Sequence, residues 1–200
     1  MARLDKLIEE LCPHGVEYIE LGEVSDVGAG QNINKNFIQQ NEGDYPVINS
    51  GKEPLGYVNT YNVENNEIGI TSRGAGVGFV SWTEGKFFRG NLNYGLVIYE
   101  NINLNKRFLY HVLLENKHEI ENLCVFSGIP ALNASNLKKL KIPLPPLPVQ
   151  EEIVRILDNF DALVNDISIG LPAEIEARQK QYEYYREKLL SFKELDKREA

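Results

Sequence analysis

The chain is poor in the residues that mark several specialised folds. Of its 200 residues only Cys12 and Cys124 are cysteine, which excludes a disulfide framework or a zinc ribbon and leaves two thiols expected to be reduced. They read as small apolar residues, and no role is assigned to them. The three histidines, His14, His111 and His118, are scattered without a His-Glu-x-x-His pattern, so no metal site is expected. No apolar run reaches the roughly 18 residues of a membrane span. The opening Met-Ala-Arg-Leu-Asp-Lys-Leu-Ile-Glu-Glu has no unbroken apolar stretch, so a signal peptide is not expected. The expectation is a cytoplasmic protein with no membrane partner. A basic balance is missing as well: 21 Lys and Arg face 29 Asp and Glu, for a net charge of -8. The acidity is even, with 13 bases and 17 acids over residues 1–142 and 8 and 12 over residues 143–200. That argues against the usual footprint of a nucleic-acid binder, whose affinity rests on Lys and Arg at phosphates.

What is present is ordinary globular composition, 42% hydrophobic and 25% charged. Two hundred residues suit one domain plus an appendage and can bury a sizeable core. Leu4, Leu7, Ile8 and Leu11 fall at helical spacing before Pro13 and Gly15, which predicts a short amphipathic helix. From Val16 to Tyr99 the texture changes to short β-branched and aromatic runs between Gly, Asn and Pro: Val16–Ile19, Tyr45–Ile48, Gly56–Val58, Glu67–Thr71, Gly76–Trp82 and Tyr94–Tyr99. This predicts a sheet-rich domain. A helix over 106–122, buried through Phe108, Leu109, Val112, Leu113 and Ile120, is expected to pack on that sheet.

Pro143-Leu144-Pro145-Pro146-Leu147-Pro148 places four prolines in six residues, which favours extended backbone over ladder or helix. Pro148 suits the first turn of a following helix, and Glu151 and Glu152 suit its positive dipole end. The stripe Val149, Ile153, Ile156, Leu157, Phe160, Leu163, Val164 and Ile167 has Arg155, Asp158, Asp161 and Asp166 off it. After Gly170 and Pro172, Ile175, Tyr182, Tyr185, Leu189 and Phe192 share one side of a last helix, an imperfect coiled-coil seam. One reading is a helical hairpin closing on its own domain. The other is a stalk whose stripe needs a second chain, with Ile153, Ile156, Phe160, Leu163, Ile167, Tyr182, Tyr185 and Leu189 as the dimer or partner interface. The predicted fold class is α+β: a sheet-rich globular domain over residues 1–147, then a long helical, coiled-coil-like arm over 148–200.

No catalytic constellation is found. Gly74-Ala75-Gly76-Val77-Gly78 misses the dinucleotide fingerprint, because Phe79 stands where the third glycine belongs. Ser50-Gly51-Lys52-Glu53 lacks the upstream Gly and the metal-binding hydroxyl of a phosphate loop. The glycines instead read as a tight turn between strands. Asp44, Glu53, Glu64 and Glu67 are not singled out as an acid–base pair, and Ser50, Ser72 and Ser127 lack the elbow of a nucleophile. Several loops do concentrate amides, hydroxyls and single cations: Gln31 to Asn36, Asn49 to Lys52, Thr71 to Arg73 and Arg89 to Tyr94. Such side chains can pair with base edges, Asn or Gln with adenine and Arg or Lys with guanine. Equally, Asn-rich loops satisfy turns.

At this point the chain resembles the specificity (S) subunits of type I restriction-modification enzymes. The resemblance is carried by Leu137-Lys-Lys-Leu-Lys-Ile-Pro-Leu-Pro-Pro-Leu-Pro-Val-Gln-Glu-Glu-Ile-Val-Arg-Ile-Leu-Asp158, and by Gln181-Tyr-Glu-Tyr-Tyr-Arg-Glu-Lys-Leu-Leu190. It is carried more weakly by Ile70-Thr-Ser-Arg-Gly-Ala-Gly-Val-Gly-Phe79 and Leu11-Cys-Pro-His-Gly-Val-Glu-Tyr18. It covers the whole chain but one copy of a pattern that such subunits usually carry twice, so a half-length subunit, natural or engineered, is expected. The resemblance implies a target recognition domain that reads double-stranded DNA and catalyses nothing itself. It also implies modification (methyltransferase) subunits that methylate adenine with S-adenosylmethionine, and restriction subunits that cleave with ATP. No cofactor is expected in this chain. Companion subunits at the phosphates would answer the charge objection. Two copies related by a two-fold axis would present two recognition domains to a palindromic bipartite site.

From loop chemistry, the residues expected to contact bases are Gln31, Asn32, Lys35, Asn49, Lys52, Ser72, Arg73, Lys86, Arg89, Asn91 and Asn93. Arg73 leads, against the alternative that it ties the glycine turn to a carboxylate. Two rivals stay open: a coiled-coil adaptor whose sheet domain binds protein or glycan, and an enzyme with its chemistry in the Gly74–Gly78 loop.

Overall fold

A computed structural model describes residues 2–167 and 172–192, with side chains through residue 162 and again from residue 176. In chain order the elements are α1 (Ala2–Leu11), β1 (Tyr18–Glu20), α2 (Leu21–Val24), β2 (Ser25–Ala29), α3 (Lys35–Gln40), β3 (Glu42–Ile48), β4 (Tyr57–Val58), β5 (Glu67–Thr71), β6 (Val80–Thr83), β7 (Phe88–Arg89) and β8 (Asn93–Ile98). There follow α4 (Lys106–Glu115), α5 (Lys117–Asn122), β9 (Cys124–Val125), β10 (Ala131–Leu132), α6 (Ala134–Leu137), β11 (Lys141–Pro143), α7 (Leu147–Ile167) and α8 (Pro172–Leu190). The α+β class is as expected. The chain forms two compact units, each woven from separate stretches. A sheet unit holds Glu20–Ile102 and Asn116–Lys141, and a helical unit holds the chain up to Ile19, Asn103–Glu115, and the chain from Ile142.

In the sheet unit an antiparallel sheet runs β2-β8-β5-β6. Strand β2 alternates buried and exposed residues, Ser25 and Val27 in, Asp26 and Gly28 out, as an edge strand with one covered face should. Strand β5 lies between β8 and β6, and Ile68 to Thr71 are all buried, so its sequence reads as a continuous run instead of an alternation. A second sheet runs β4-β3-β7, with β3–β7 parallel and the β3–β4 register shifted between Glu42 and Tyr45. Ile33, Val47, Val58 and Phe88 form its core, with Phe37 and Ile38 of α3 packed against them. Asn34 caps α3 by accepting a hydrogen bond from Phe37 N.

The helix expected over 106–122 is two helices. Asn116 leaves helical geometry at φ −81, ψ 21. Ahead of it α4 belongs to the helical unit, where it packs with α7 and α8 and buries Phe108, Leu109, Val112 and Leu113. Behind it α5 belongs to the sheet unit, where Ile120 lies next to Gly78. Each α4 side chain so buried contributes roughly 1.5–3 kcal/mol, enough to hold a helix too short to persist alone.

The proline strap is fixed by one side chain that its composition did not single out. Gln150 is fully buried; its Nε2 donates to Pro145 O (2.7 Å) and Asn103 O (2.9 Å), and its Oε1 accepts from Asn105 N (2.8 Å). Proline lacks an N–H, so the strap's carbonyls need donors from elsewhere, and Gln150 supplies one. Helix α7 starts at Leu147, which puts Glu151 and Glu152 beyond its first turn. Glu152 does not serve the helix dipole as expected. It is buried on Arg155, whose Nη2 and Nε lie 2.7 and 3.0 Å from its oxygens, with Arg3 at 3.6 Å.

The described part of the apolar stripe expected to meet a partner packs largely within the helical unit. Ile153, Ile156 and Leu189 are buried, because α7 packs on α1, α4 and α8. Phe160 stacks on Tyr185 with ring centres 5.4 Å apart, and Arg186 lies over the Tyr182 ring while its Nε donates to Glu115 (2.7 Å). Burial of Ile153, Ile156 and Leu189 corrects their reading as partner-facing, while Phe160, Tyr182 and Tyr185 are half-buried in these contacts. The side chains of Leu163 and Ile167 lie outside the described residues.

Candidate nucleic-acid interface

Backbone hydrogen bonds in the sheet unit bring five loops together. Gln31 N donates to Arg89 O, Gly90 N to Ile48 O, and Asn49 Oδ1 accepts from Leu92 N. Ser72 N donates to Leu92 O, while Ser72 O accepts from Leu132 N and Pro130 O from Gly74 N. The loops at 30–32, 49–52, 72–78, 90–92 and 126–130 therefore form one rim. The approach at Gly90 is close enough that a Cβ there would stand 2.5 Å from Asn49 Oδ1, so only glycine fits. Gly74 and Gly78 have φ of +94° and +82°, as a tight turn requires. Gly78 N donates to Thr71 O and Thr71 N to Phe79 O, so the glycine cluster is the turn joining β5 to β6 and not a phosphate cradle.

Four of the expected base-reading residues are exposed on this rim: Gln31, Lys52, Arg73 and Asn91. Arg73 has no hydrogen-bond or ion-pair partner for its side chain among the described residues, and only its backbone is engaged, in a bridge with Ala131. The alternative in which it ties the turn to a carboxylate is therefore not what the structure holds. Lys52 has no ion pair among the described residues, with its Nζ 5.6 Å from the centre of the Phe79 ring. Asn32 is exposed beside Gln31, and Lys35 is exposed in the first turn of α3, so the stretch read as one loop from Gln31 to Asn36 ends in a helix.

Asn49, Ser72, Arg89 and Asn93 support the rim from inside, and their assignment as base contacts is corrected by their burial. Arg89 is 5% exposed and its Nη1 donates to Asn93 Oδ1 (2.7 Å), Tyr94 O (2.8 Å) and Ile68 O (3.0 Å). Its Nη2 has no partner among the described residues. Loss of hydration pushes the guanidinium down to about 10, offset in part by Glu67. Asn93 is 1% exposed, held by that same contact. Asn49 and Ser72 are buried in the loop contacts described above. Lys86 is exposed but engaged: its Nζ donates to Tyr61 Oη (3.0 Å), sits 4.3 Å from that ring's centre and lies 3.6 Å from Glu64. Burial could not be read from loop composition, since in Arg89-Gly90-Asn91-Leu92-Asn93 it is the placing of β7 and β8 that buries Arg89 and Asn93 and leaves Asn91 exposed. The loop at 126–130 was missed altogether, because it carries few polar residues.

No cluster of His, Cys, Asp and Glu among the described residues is arranged to hold a metal ion. Buried His111 in the helical unit has Nε2 2.9 Å from Asp158 Oδ1, and its Nδ1 has no partner among the described residues. Burial lowers its affinity for a proton, against the pull of Asp158. Arg107 also binds Asp158 (2.9 Å). With His111 fully buried, the group is a strut between α4 and α7.

Comparison with known proteins places the chain in a family. A family model described as the type I restriction modification DNA specificity domain matches residues 13–177. The chain belongs to this family. A putative type I restriction enzyme specificity subunit of Haemophilus influenzae is 37% identical over 190 residues, covering 87% of this chain and 48% of the relative. A putative type I specificity subunit of Mycoplasma pneumoniae is 31% identical over 188 residues, covering 92% of this chain and 60% of the relative. The chain thus spans only part, 48% and 60%, of these curated relatives. Among solved structures, the S subunit of a type I restriction-modification system from M. genitalium superposes with a TM-score of 0.68 at 26% identity, over 76% of this chain and 41% of that one. The HsdS subunit from Thermoanaerobacter tengcongensis, at 20% identity and TM-score 0.59 over 94% of this chain and 50% of that one, shares the fold.

Proposed function

We propose that the chain is the DNA-recognition component of a type I restriction-modification system, reading one half of a bipartite site through the rim of its sheet unit. The observation that carries this reading is the convergence of exposed, unpaired Lys52 and Arg73 with the free amides of Gln31 and Asn91 on one set of loops. Cations with amides are the chemistry of base-edge readout. The chain methylates and cuts nothing in this reading; modification subunits using S-adenosylmethionine, and restriction subunits using ATP where present, do so in the cytoplasm.

Phosphate attraction must then come chiefly from those subunits, since the chain carries a net charge of -8. Two copies related by a two-fold axis supply the two half-sites. Because Ile153, Ile156 and Leu189 are already buried, the pairing uses outward faces of the helices, where Tyr184 of α8 is exposed. Co-expression with the cognate modification subunit, followed by mapping of methylated adenines, tests all of this. A palindromic bipartite motif is the expected result, and methylation without sequence preference would sink the reading.

A further inference from the structure

The β9–β10 loop places apolar side chains where folding alone gives no reason for them. Ile129 is 73% exposed, more than any other large apolar residue among those described, and Phe126 on the same tip is 62% exposed. The base beneath them is firmly mounted. Ala131 and Leu132 pair with Val125 and Cys124, Leu132 N donates to Ser72 O, Gly74 N to Pro130 O, and Tyr94 Oη donates to Leu132 O (3.1 Å). Gly128, at φ +91°, makes the turn between the two side chains. Arg73 is bridged to Ala131 at the foot of the loop, and its guanidinium is exposed and unpaired among the described residues.

An apolar tip on a hydrogen-bonded base, flanked by a cation without an ion pair among the described residues, fits a polyanion with stacked apolar faces better than it fits a protein surface. Two side chains cover far less than the roughly 800 Å² per partner of a stable protein interface, whereas one or two such residues suffice to enter a base step. We propose that Phe126 and Ile129 are a wedge that inserts at one base step of the recognised half-site, next to the base edge that Arg73 reads. This rests on the reading that the sheet unit binds DNA, and it assigns specificity to residues without hydrogen-bonding groups. Unstacking is easiest at pyrimidine–purine steps, so the wedge selects a flexible TA or CA step in the target.

The test uses the assembled complex with its modification subunit and a duplex carrying the mapped site, with 2-aminopurine substituted in turn at each adenine other than the methylated ones, which the modification subunits themselves unstack. Wild-type complex should brighten the probe at one step. The double variant F126A/I129A should abolish that brightening and weaken binding at least tenfold, with the mass of the complex and the melting temperature of the chain unchanged. F126L should retain part of the signal. The wedge is overturned if no position brightens, if the double variant binds and brightens as wild type, or if it instead loses the modification subunit, which would make the tip a protein contact. A wild-type complex with no preferred motif overturns the recognition reading together with the wedge.

Discussion

In the helical unit each of Arg107, Arg155 and Arg186 lies on a carboxylate of its own unit, Asp158, Glu152 and Glu115, at 2.7 to 2.9 Å. In the sheet unit Lys35, Lys52 and Arg73 have no ion pair among the described residues, and the loops that carry Lys52 and Arg73 are tied by neutral backbone hydrogen bonds. The difference separates two uses of charge. A long cation paired at close range inside a scaffold fixes helix against helix, while a cation held on a neutral frame is available to a ligand. An acidic chain can therefore still present a positive feature, because sequence totals do not say which charges are already neutralised by neighbours.

Arg89 is the exception that tests this comparison most severely, as a cation of the sheet unit that serves as scaffold. Replacing it by Ala leaves Asn93 Oδ1, Tyr94 O and Ile68 O without their donor. The expected cost is about 1–3 kcal/mol for each buried acceptor left unsatisfied. Denaturation followed by the fluorescence of Trp82, the single tryptophan and a residue of β6, measures it directly. A loss under 1 kcal/mol would mean that the guanidinium is not what joins β5, β7 and β8. Gln150→Ala is the neutral counterpart in the helical unit. With three hydrogen bonds removed around the proline strap, about 2–3 kcal/mol should be lost, seen as a lower midpoint of the helical circular dichroism.

Arg73→Ala sharpens the contrast from the other side. Its side chain supports nothing in the fold, so the stability of the chain should not move, while binding to the target weakens by about 1–3 kcal/mol and one base preference relaxes. If the methylation motif of the variant complex were identical to that of wild type, the assignment of Arg73 to base reading would be wrong.

The arm was legible from its period and prolines, as was the sheet-rich character of the preceding segment. Strand β5 was found at its observed bounds because Ile68, Ile70 and Thr71 make a short β-branched run, and α7 because Pro148 and the stripe from Val149 to Leu157 agree. Other features depend on relations between distant residues. The break at Asn116 lies inside a continuous apolar period, so composition could not reveal that α4 and α5 join different units. Arg89 looks like Arg73 in a polar loop, and only the closeness of β5 and β8 makes one a strut and the other a free end. Phe126 and Ile129 escaped because the loops were singled out by polar side chains, which these two lack.

Acidification separates the units by a smaller amount. Burial lowers the His111 pKa, so below the unfolded-state value near 6.5 the unfolded chain takes up the proton more readily and the helical unit loses stability. Arg155 holds the Glu152 carboxyl below its usual range, so that contribution is present above the unfolded carboxylate pKa and is lost as pH falls through the folded one. In the sheet unit Lys138 lowers Asp26 in the same way, a carboxylate effect that begins at lower pH. Between pH ~6.5 and ~5, then, only the helical unit should soften. Melts at pH 7 and pH 5.5 should show the circular dichroism midpoint falling while the Trp82 midpoint stays, and His111→Gln should remove the shift. A parallel fall of both midpoints would place the acid-sensitive group elsewhere.

The smallest effect belongs to Lys86, whose contacts with Tyr61 and Glu64 look on paper as rich as those of any cation in the helical unit. Solvent screens all of them, because Lys86 and Glu64 are both exposed, and an exposed pair gains little over the hydration and side-chain freedom it gives up. Lys86→Ala should leave the Trp82 midpoint within error of wild type. It should also leave the methylation motif intact, since the ammonium is engaged with the Tyr61 hydroxyl and ring and not displayed on the rim. A changed motif would extend the reading surface beyond the five loops to the turn between β6 and β7, and would show that proximity of opposite charge does not by itself withdraw a surface cation from DNA.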